Sequence, residues 1–527
     1  MSSANQTNEL LRIGFEALQA GRTKEAAEYC RRALSIDQSK PGAHFLVGLI
    51  AQDSADLKTA VRAFGSATKL DPQFAAAWAH LSRVFMRLGQ PARAESAIAK
   101  AIENEPADAP VCDLIGVVLS LLGDQKQARE WYAKACAAAP DAAQFSVNLA
   151  TASMFLGENE AARNTLAPFI GKVDSPAQAE WLYSSIVKAA DGKRAETLMR
   201  RAKSADAQSA AFLAFAAGKE FEDCGAWTEA FEAFEAGARA KRSTISYDEE
   251  AEERRFEALA ETFADQNRGP AAAGFDDGSA IFVVGQPRTG TTLIERIITS
   301  HSQVESAGEL QQFRLSLNRL AQTGDGAGDV AEAVRQWSRV DPNALGREYI
   351  RASAPMRSGA PRFVDKLPGN YQYIPLILTA LPNARIVHLT REPMDACFAS
   401  YKQLFAEAYL HSYDQCEMAR HFARYHRLMN VWRRRFPGRF LDVSYEDTVK
   451  DFETNVRRLI EFLDLPWEDG CLRYYERKEA VATASAVQVR EKPHSRSIGR
   501  WRRYEKRLSA MRETLEGCGV VASGVVL

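Results

Sequence analysis

The chain has 527 residues, 46% hydrophobic and 26% charged, which is more than one ordinary domain and enough for a sizeable core. Its 67 Lys and Arg nearly balance 68 Asp and Glu, which excludes a global field for nucleic acid or an anionic membrane and leaves anion binding to local groups. The opening Met1–Gln6 lacks the basic start and apolar run of a secretory signal, no stretch is as apolar as a membrane helix, and the eight cysteines form no C-x-x-C pair, so the expectation is a cytoplasmic protein with free thiols and no membrane contact.

Self-alignment shows a period of 34 residues from the start, with Ala26, Ala60, Ala94, Ala128 and Ala162 in one column. Ile13, Val47, Leu81, Ile115 and Leu149 form an apolar column; Gly14, Gly48, Ser82, Gly116 and Ala150 form a small one; Gly21, Ala55, Gly89, Gly123 and Gly157 form a third. Pro72, Pro106 and Pro140 close successive units. Each unit predicts two helices meeting at a small residue, a glycine-centred turn, and a proline that stops the second helix. Such a unit cannot bury its apolar face alone, so neighbours must stack. The pattern resembles the tetratricopeptide repeat family over about residues 7 to 176. After a degenerate unit it returns at Gly218, Gly225, Ala230, Phe234 and Gly237. That sets a helical-repeat domain over 1–242, whose resemblance implies a concave face holding a peptide or partner protein; a purely supporting role is the bland alternative.

Residues 243–278, charged and then rich in Gly, Ala and Asp, predict a connecting helix and linker. A domain over 279–527 follows. Ala280–Val284 is an apolar, β-branched strand, Gly285–Thr292 a glycine-bracketed loop, and Leu293–Ile298 has helical periodicity. Strand, loop and helix in that order let backbone N–H groups and a helix N-terminus cradle a phosphate. The Gly285-x4-Gly290 spacing matches a nucleotide P-loop, but Thr291 stands where its lysine belongs, and the positive charge moves into the loop as Arg288. A triphosphate enzyme needs that lysine and a magnesium-binding acid; here there is apparatus for one phosphate. Further on, Ala384–Thr390 predicts a second buried strand ending in Arg391, which can pair bidentately with a phosphate beside the helix that follows.

Pro287-Arg288-Thr289-Gly290-Thr291-Thr292 closely resembles the 5′-phosphosulfate loop of sulfotransferases that use 3′-phosphoadenosine 5′-phosphosulfate (PAPS). The resemblance implies that Arg288, Thr289, Gly290, Thr291 and Thr292 hold the donor's 5′-phosphate. Arg391 resembles the family's 3′-phosphate arginine, although the serine expected eight residues later falls one further on, at Ser400, with Ala399 in the usual place. Thr483–Arg490 followed by Gly499-Arg500-Trp501 is similar to the end of tyrosylprotein sulfotransferases; by that likeness Ser485 meets the sulfonate region and Arg500 a donor phosphate. Tyr445, at the end of the strand Arg439–Ser444, resembles a tyrosine lining the donor site. Lys366, after the strand Arg362–Asp365, resembles the lysine that bridges phosphate and sulfonate. Glu309, in Gly308-Glu309-Leu310, resembles the proposed base, and a carboxylate buried beside donor anions would titrate high enough to take a hydroxyl proton.

The expected fold class is α plus α/β, a tetratricopeptide helical solenoid followed by a P-loop-like parallel sheet with flanking helices. The expected activity is sulfonate transfer from PAPS to a hydroxyl acceptor, protein or peptide tyrosine among the candidates, with catalytic Glu309, Arg288, Lys366 and Ser485. No metal and no nucleic acid are expected, and a homodimer is one option. The rivals are a P-loop kinase with Asp365 on magnesium, and a repeat scaffold with a vestigial nucleotide site.

Overall fold

The computed structural model of the protein describes residues 3–264, 274–323, 329–405, 408–483 and 485–520. By packing, the chain divides into two compact units, Met1–Ala152 and Ser153–Leu527. Part of the expected linker, residues 265–273, and Ala484 of the Thr483–Arg490 motif lie outside the described residues.

In the first unit the helices come in pairs, Ser3–Gln19 with Thr23–Ile36, Pro41–Asp53 with Leu57–Leu70, Ala75–Arg87 with Pro91–Glu103, and Ala109–Leu121 with Gln125–Ala138. The small-residue column is where two helix axes come closest. A Cβ on Gly48 would lie 2.4 Å from the Phe64 ring, and one on Gly116 2.6 Å from the Tyr132 ring, each ring coming from the second helix of its pair. The turn column has left-handed backbone at φ 72° in Gly21, 65° in Gly89 and 94° in Gly123. Ala55 takes the same conformation at φ 57° without glycine's freedom. Asp56 and Asp124 then cap the following helices, accepting from Thr59 N at 3.0 Å and Gln127 N at 2.9 Å.

In the second unit, two ten-residue helices, Ala177–Ile186 and Lys193–Ala202, occupy the stretch where the period fades. The hairpin Ala207–Asp223 and Trp227–Arg242 restores the geometry, since a Cβ on Gly218 would lie 2.6 Å from Phe234. Its aromatic face is buried in the same core as the sheet: the Phe231 ring centroid is 6.3 Å from Tyr401 and 6.0 Å from Tyr504. The packing division therefore falls upstream of the compositional boundary at residue 242. The helix Glu249–Ala264 is fixed too, with Glu249 paired to Arg420 at 2.7 Å and Arg424 at 2.9 Å.

Five strands form one all-parallel sheet in the order β2-β3-β1-β4-β5, with β1 Ala280–Gly285, β2 Val304–Ser306, β3 Arg362–Asp365, β4 Arg385–Thr390 and β5 Leu441–Ser444. β1 is buried along its whole length, as a central strand covered on both faces must be. It lies between β3 and β4: the chain builds β2 and β3 on one side of it and then crosses to β4 and β5 on the other, a switch in strand order of the kind that places ligands at the carboxyl ends of the strands. Among the described residues, no helix is long and apolar enough to cross a membrane.

Two substitutions separate the causes acting on the repeats. Gly48→Ala should lower the stability of the first unit by about 1–3 kcal/mol through overpacking against Phe64, while Ala55→Gly should leave it unchanged or raise it by about 0.5 kcal/mol by relieving the left-handed alanine. Thermal unfolding followed by helical circular dichroism reads both.

Candidate active site

Every strand delivers a candidate residue to the same end of the sheet. β1 runs into the loop Gly285–Gly290, where Arg288 has φ 63° and Gly290 φ 102°. A non-glycine residue in that conformation is uncommon, and it turns the loop back so that the helix Thr291–Thr299 starts beneath it. Gly290 is required twice, for its φ and because a Cβ there would lie 2.8 Å from the Tyr445 ring. Thr289 donates to Gln286 O at 2.7 Å, tying the loop to itself. Thr289, Thr291 and Thr292 are all buried.

Arg391 leaves the end of β4 and donates to the carbonyl of Arg288 at 2.7 Å and to that of Ser497 at 2.6 Å. Its guanidinium stands 4.9 Å from the centre of the Tyr445 ring at the end of β5. Arg288 in turn donates to Ser485 Oγ and, at 2.9 Å, to Gln488 Oε1. The segment after Thr483 thus folds over the loop, with Thr483 and Thr292 hydroxyls 3.3 Å apart. Burial and the neighbouring Arg391 charge pull the Arg288 pKa down to about 10. Ser400, on the helix Pro393–Tyr401, is buried and donates to Pro287 O at 3.3 Å; it contacts the loop backbone from behind. Arg500 pairs with Glu222 at 2.8 Å.

On the other side of β1, Lys366 follows β3, is 1% exposed, and makes an ion pair with Glu309 while standing 3.9 Å from Glu295. Glu309 is not the buried carboxylate that the sequence led us to expect: its side chain is 43% exposed, because Gly308, at φ 77°, turns the chain outward after β2. The buried acid is Glu295, on the helix behind the loop, which accepts from Ser306 Oγ at 2.6 Å. Its pKa is raised by burial, against the opposing pull of Lys366. Asp365, fully buried, accepts from Tyr349 OH at 2.9 Å and from Leu310 N at 3.4 Å. It therefore fastens the Gly308–Leu310 turn to the sheet, helped by Lys366 N donating to Gly308 O at 2.9 Å. Burial lifts its pKa to about 8, so at neutral pH it is mostly a neutral acid, with neither the charge nor the open face that a magnesium ligand needs.

Glu295, Glu222, Lys402 and Gln488 were not singled out from the sequence. Gln488 lay within the Thr483–Arg490 stretch noted above, whereas Glu222 sits far away in a repeat-like helix and carried no signal. The structure also brings together Glu252, His411 and His421, whose ligand atoms lie within 4.8 Å of one another, although no such cluster was expected. Their separation in sequence hid them. Arg424 holds Glu252 at 2.9 Å and Tyr247 donates to it at 2.8 Å, so the group works as a buried polar clamp on the helix Glu249–Ala264.

Comparison with known proteins agrees with this architecture. Residues 280–469 match the model of the sulfotransferase family, and residues 10–40, 49–115 and 109–141 match tetratricopeptide repeat models. The chain therefore carries a sulfotransferase-family domain behind tetratricopeptide repeats. A protein of Aquifex aeolicus described only as uncharacterised is 37% identical over 243 residues, 45% of this chain and 32% of that protein. A putative protein-tyrosine sulfotransferase of Caenorhabditis briggsae is 24% identical over 226 residues, 42% of this chain and 80% of that protein. The chain thus spans about a third of the first relative and four fifths of the second. Among solved structures, the sulfotransferase domain of the Synechococcus PCC 7002 olefin synthase aligns at 17% identity and a TM-score of 0.33, covering 45% of this chain and 90% of that one.

Asp365 offers a check on this geometry through stability. Its raised pKa means that the folded state holds a proton that the unfolded chain releases at about 4, so its contribution falls as pH rises from about 4 to about 8. Asp365→Asn should flatten the decline of unfolding free energy over that interval relative to the wild type, measured by chemical denaturation at a series of pH values.

Proposed function

We propose that the protein is a sulfotransferase that moves the sulfuryl group of PAPS to a hydroxyl acceptor. The observation that carries this is the meeting of Arg288 and Arg391 at the carboxyl end of the sheet, their donors directed at neutral oxygens, with no carboxylate within ion-pair distance of either among the described residues. Two such cations, half-buried and lacking counter-ions, favour an anionic ligand. The donor fits: the Arg288 loop and the N-terminus of the helix Thr291–Thr299 suit a 5′-phosphate, Arg391 suits a 3′-phosphate, and Tyr445 offers a ring beside both.

PAPS supplies a sulfuryl group on a phosphate leaving group, and transfer in line spreads charge over the peripheral oxygens. Glu309 takes the proton of the acceptor hydroxyl as its oxygen bonds to sulfur and the bond from sulfur to the phosphate oxygen breaks. Lys366 and Arg288 hold the charge that develops on the departing phosphate, in a crevice where cations act strongly. Ser485, bonded to Arg288, keeps that guanidinium turned inward. Lys366 is shared by Glu309 and Glu295, and Glu295 keeps the Ser306 hydroxyl as a partner when the ammonium turns toward the donor. Tyrosine on a peptide is the acceptor we favour, following the names of relatives that match this domain, with the repeats presenting that peptide. All eight cysteines are free, which suits the reducing cytoplasm.

The kinase alternative is disfavoured by Thr291 in place of lysine and by the burial of Asp365.

Calorimetry should show 3′-phosphoadenosine 5′-phosphate binding to the protein, with ATP as a weak control. Glu309→Gln should retain that binding while transfer from radiolabelled PAPS to tyrosine peptides or small phenols falls roughly 10²–10⁴-fold. Undiminished transfer in this variant would remove Glu309 from the mechanism, and failure of the bisphosphate to bind would remove the donor.

A further inference from the structure

Lys402 lies at the end of the helix Pro393–Tyr401, two residues past Ser400, which touches the loop. Its ammonium donates to both oxygens of Glu222, at 2.9 and 2.8 Å. Arg500 reaches the same carboxylate at 2.8 Å, and Tyr504 OH donates to it at 2.7 Å. Glu222 comes from the last turn of the helix Ala207–Asp223, in the hairpin that continues the repeat pattern, and is 8% exposed.

The grouping has more positive charge than it can neutralise. Two cations share one carboxylate, and among the described residues Glu222 is the only carboxylate within ion-pair distance of Lys402, Arg500, Arg288 or Arg391. The four come from adjoining segments: Ser400, two residues before Lys402, donates to Pro287 O beside Arg288 at 3.3 Å, and Arg391 donates to the carbonyls of Arg288 and of Ser497, three residues before Arg500, at 2.7 and 2.6 Å. A cross-link serving cohesion alone would be complete with one cation. A second cation on the same carboxylate, near Arg288 and Arg391, leaves a surplus of positive charge that favours an added anion.

We propose that Glu222 is a positioning residue for the donor: from the helical hairpin it holds Lys402 and Arg500 in place, so that their charge adds to that of Arg288 and Arg391 around a 3′,5′-bisphosphate nucleotide. This rests on the function proposed above. It makes the hairpin part of the catalytic machinery, and Lys402 a donor-binding residue.

The groups facing Lys402 are Glu222, Arg500 and Arg288, with the rings of Phe398 and Phe234 at 5.5 and 5.9 Å. Burial draws its pKa down to about 8, with Glu222 opposing the fall. Removing the negative charge of Glu222 therefore lowers the pH at which Lys402 loses its proton.

The experiment is titration of the full-length protein with 3′-phosphoadenosine 5′-phosphate from mildly acid to alkaline pH. Wild-type affinity should decline as pH passes about 8. In Glu222→Gln the decline should begin at lower pH, with affinity at neutral pH roughly tenfold weaker; in Lys402→Met the break near pH 8 should vanish. Glu222→Gln binding like wild type at every pH would overturn the proposal. If that variant does not fold, Lys402→Met decides, and persistence of its break would overturn the proposal equally. Wild-type protein that binds no bisphosphate would sink both this and the proposed function, whereas normal wild-type binding with an indifferent Glu222→Gln sinks this inference alone.

Discussion

Positive charge without internal counter-ions is the constraint around which the second unit is built. Arg288 and Arg391 give their hydrogen bonds to a hydroxyl, an amide oxygen and two backbone carbonyls. Those contacts orient the guanidinium groups without discharging them, and Arg288 loses part of its basicity to burial and to its neighbour. Such a site is costly in the free protein and relaxes when an anion enters. The parallel sheet makes it possible, since all five strands end on one side and β4 and β1 lie next to each other.

Across β1 the electrostatics reverse. Lys366 is surrounded by Glu309 and Glu295, while Asp365, neighbouring them, is kept largely neutral by burial. The site therefore has a cationic flank at the ends of β1 and β4 and an acidic one where the turn after β2 and the helix Thr291–Thr299 supply Glu309 and Glu295, with a single lysine between. Sulfuryl transfer asks for that separation, because the leaving group needs cations and the incoming hydroxyl needs a base. Asp365 serves this arrangement by fastening the turn that carries Glu309 without adding another charge beside Lys366.

Much of this was legible in the sequence because the signals were local. The repeat columns are contacts within a helix pair, so Gly48 and Gly116 could be assigned to close packing before the rings of Phe64 and Tyr132 were seen. The loop, too, is a contiguous stretch, and Arg391 and Lys366 follow β-branched runs that mark strand ends. Long-range facts were hidden. Glu309 was expected to be buried, and the outward turn at Gly308 exposes it. Glu222 reaches Arg500 across 278 residues of chain, and nothing in its own helix distinguishes it from a surface glutamate. Position 242 marks a change in composition, whereas packing follows the aromatic face of the hairpin, which has no period to reveal what it will cover.

The position of the loop's cation decides which chemistry the crevice can perform. A lysine after the second glycine extends along a polyphosphate and serves the terminal phosphates with magnesium. Here that place is Thr291, a buried residue at the helix start, and the charge sits two residues before Gly290, on a left-handed Arg288 held by Ser485 and Gln488. A guanidinium so held suits one phosphate group better than a chain of them. Asp365, the acid that a kinase would put on magnesium, is enclosed by Tyr349 and Leu310. In the reaction proposed above, Arg288 and Lys366 are the cations placed to meet charge on the leaving phosphate. That matches a phosphate bearing a single sulfuryl group, and leaves a triphosphate unsupported.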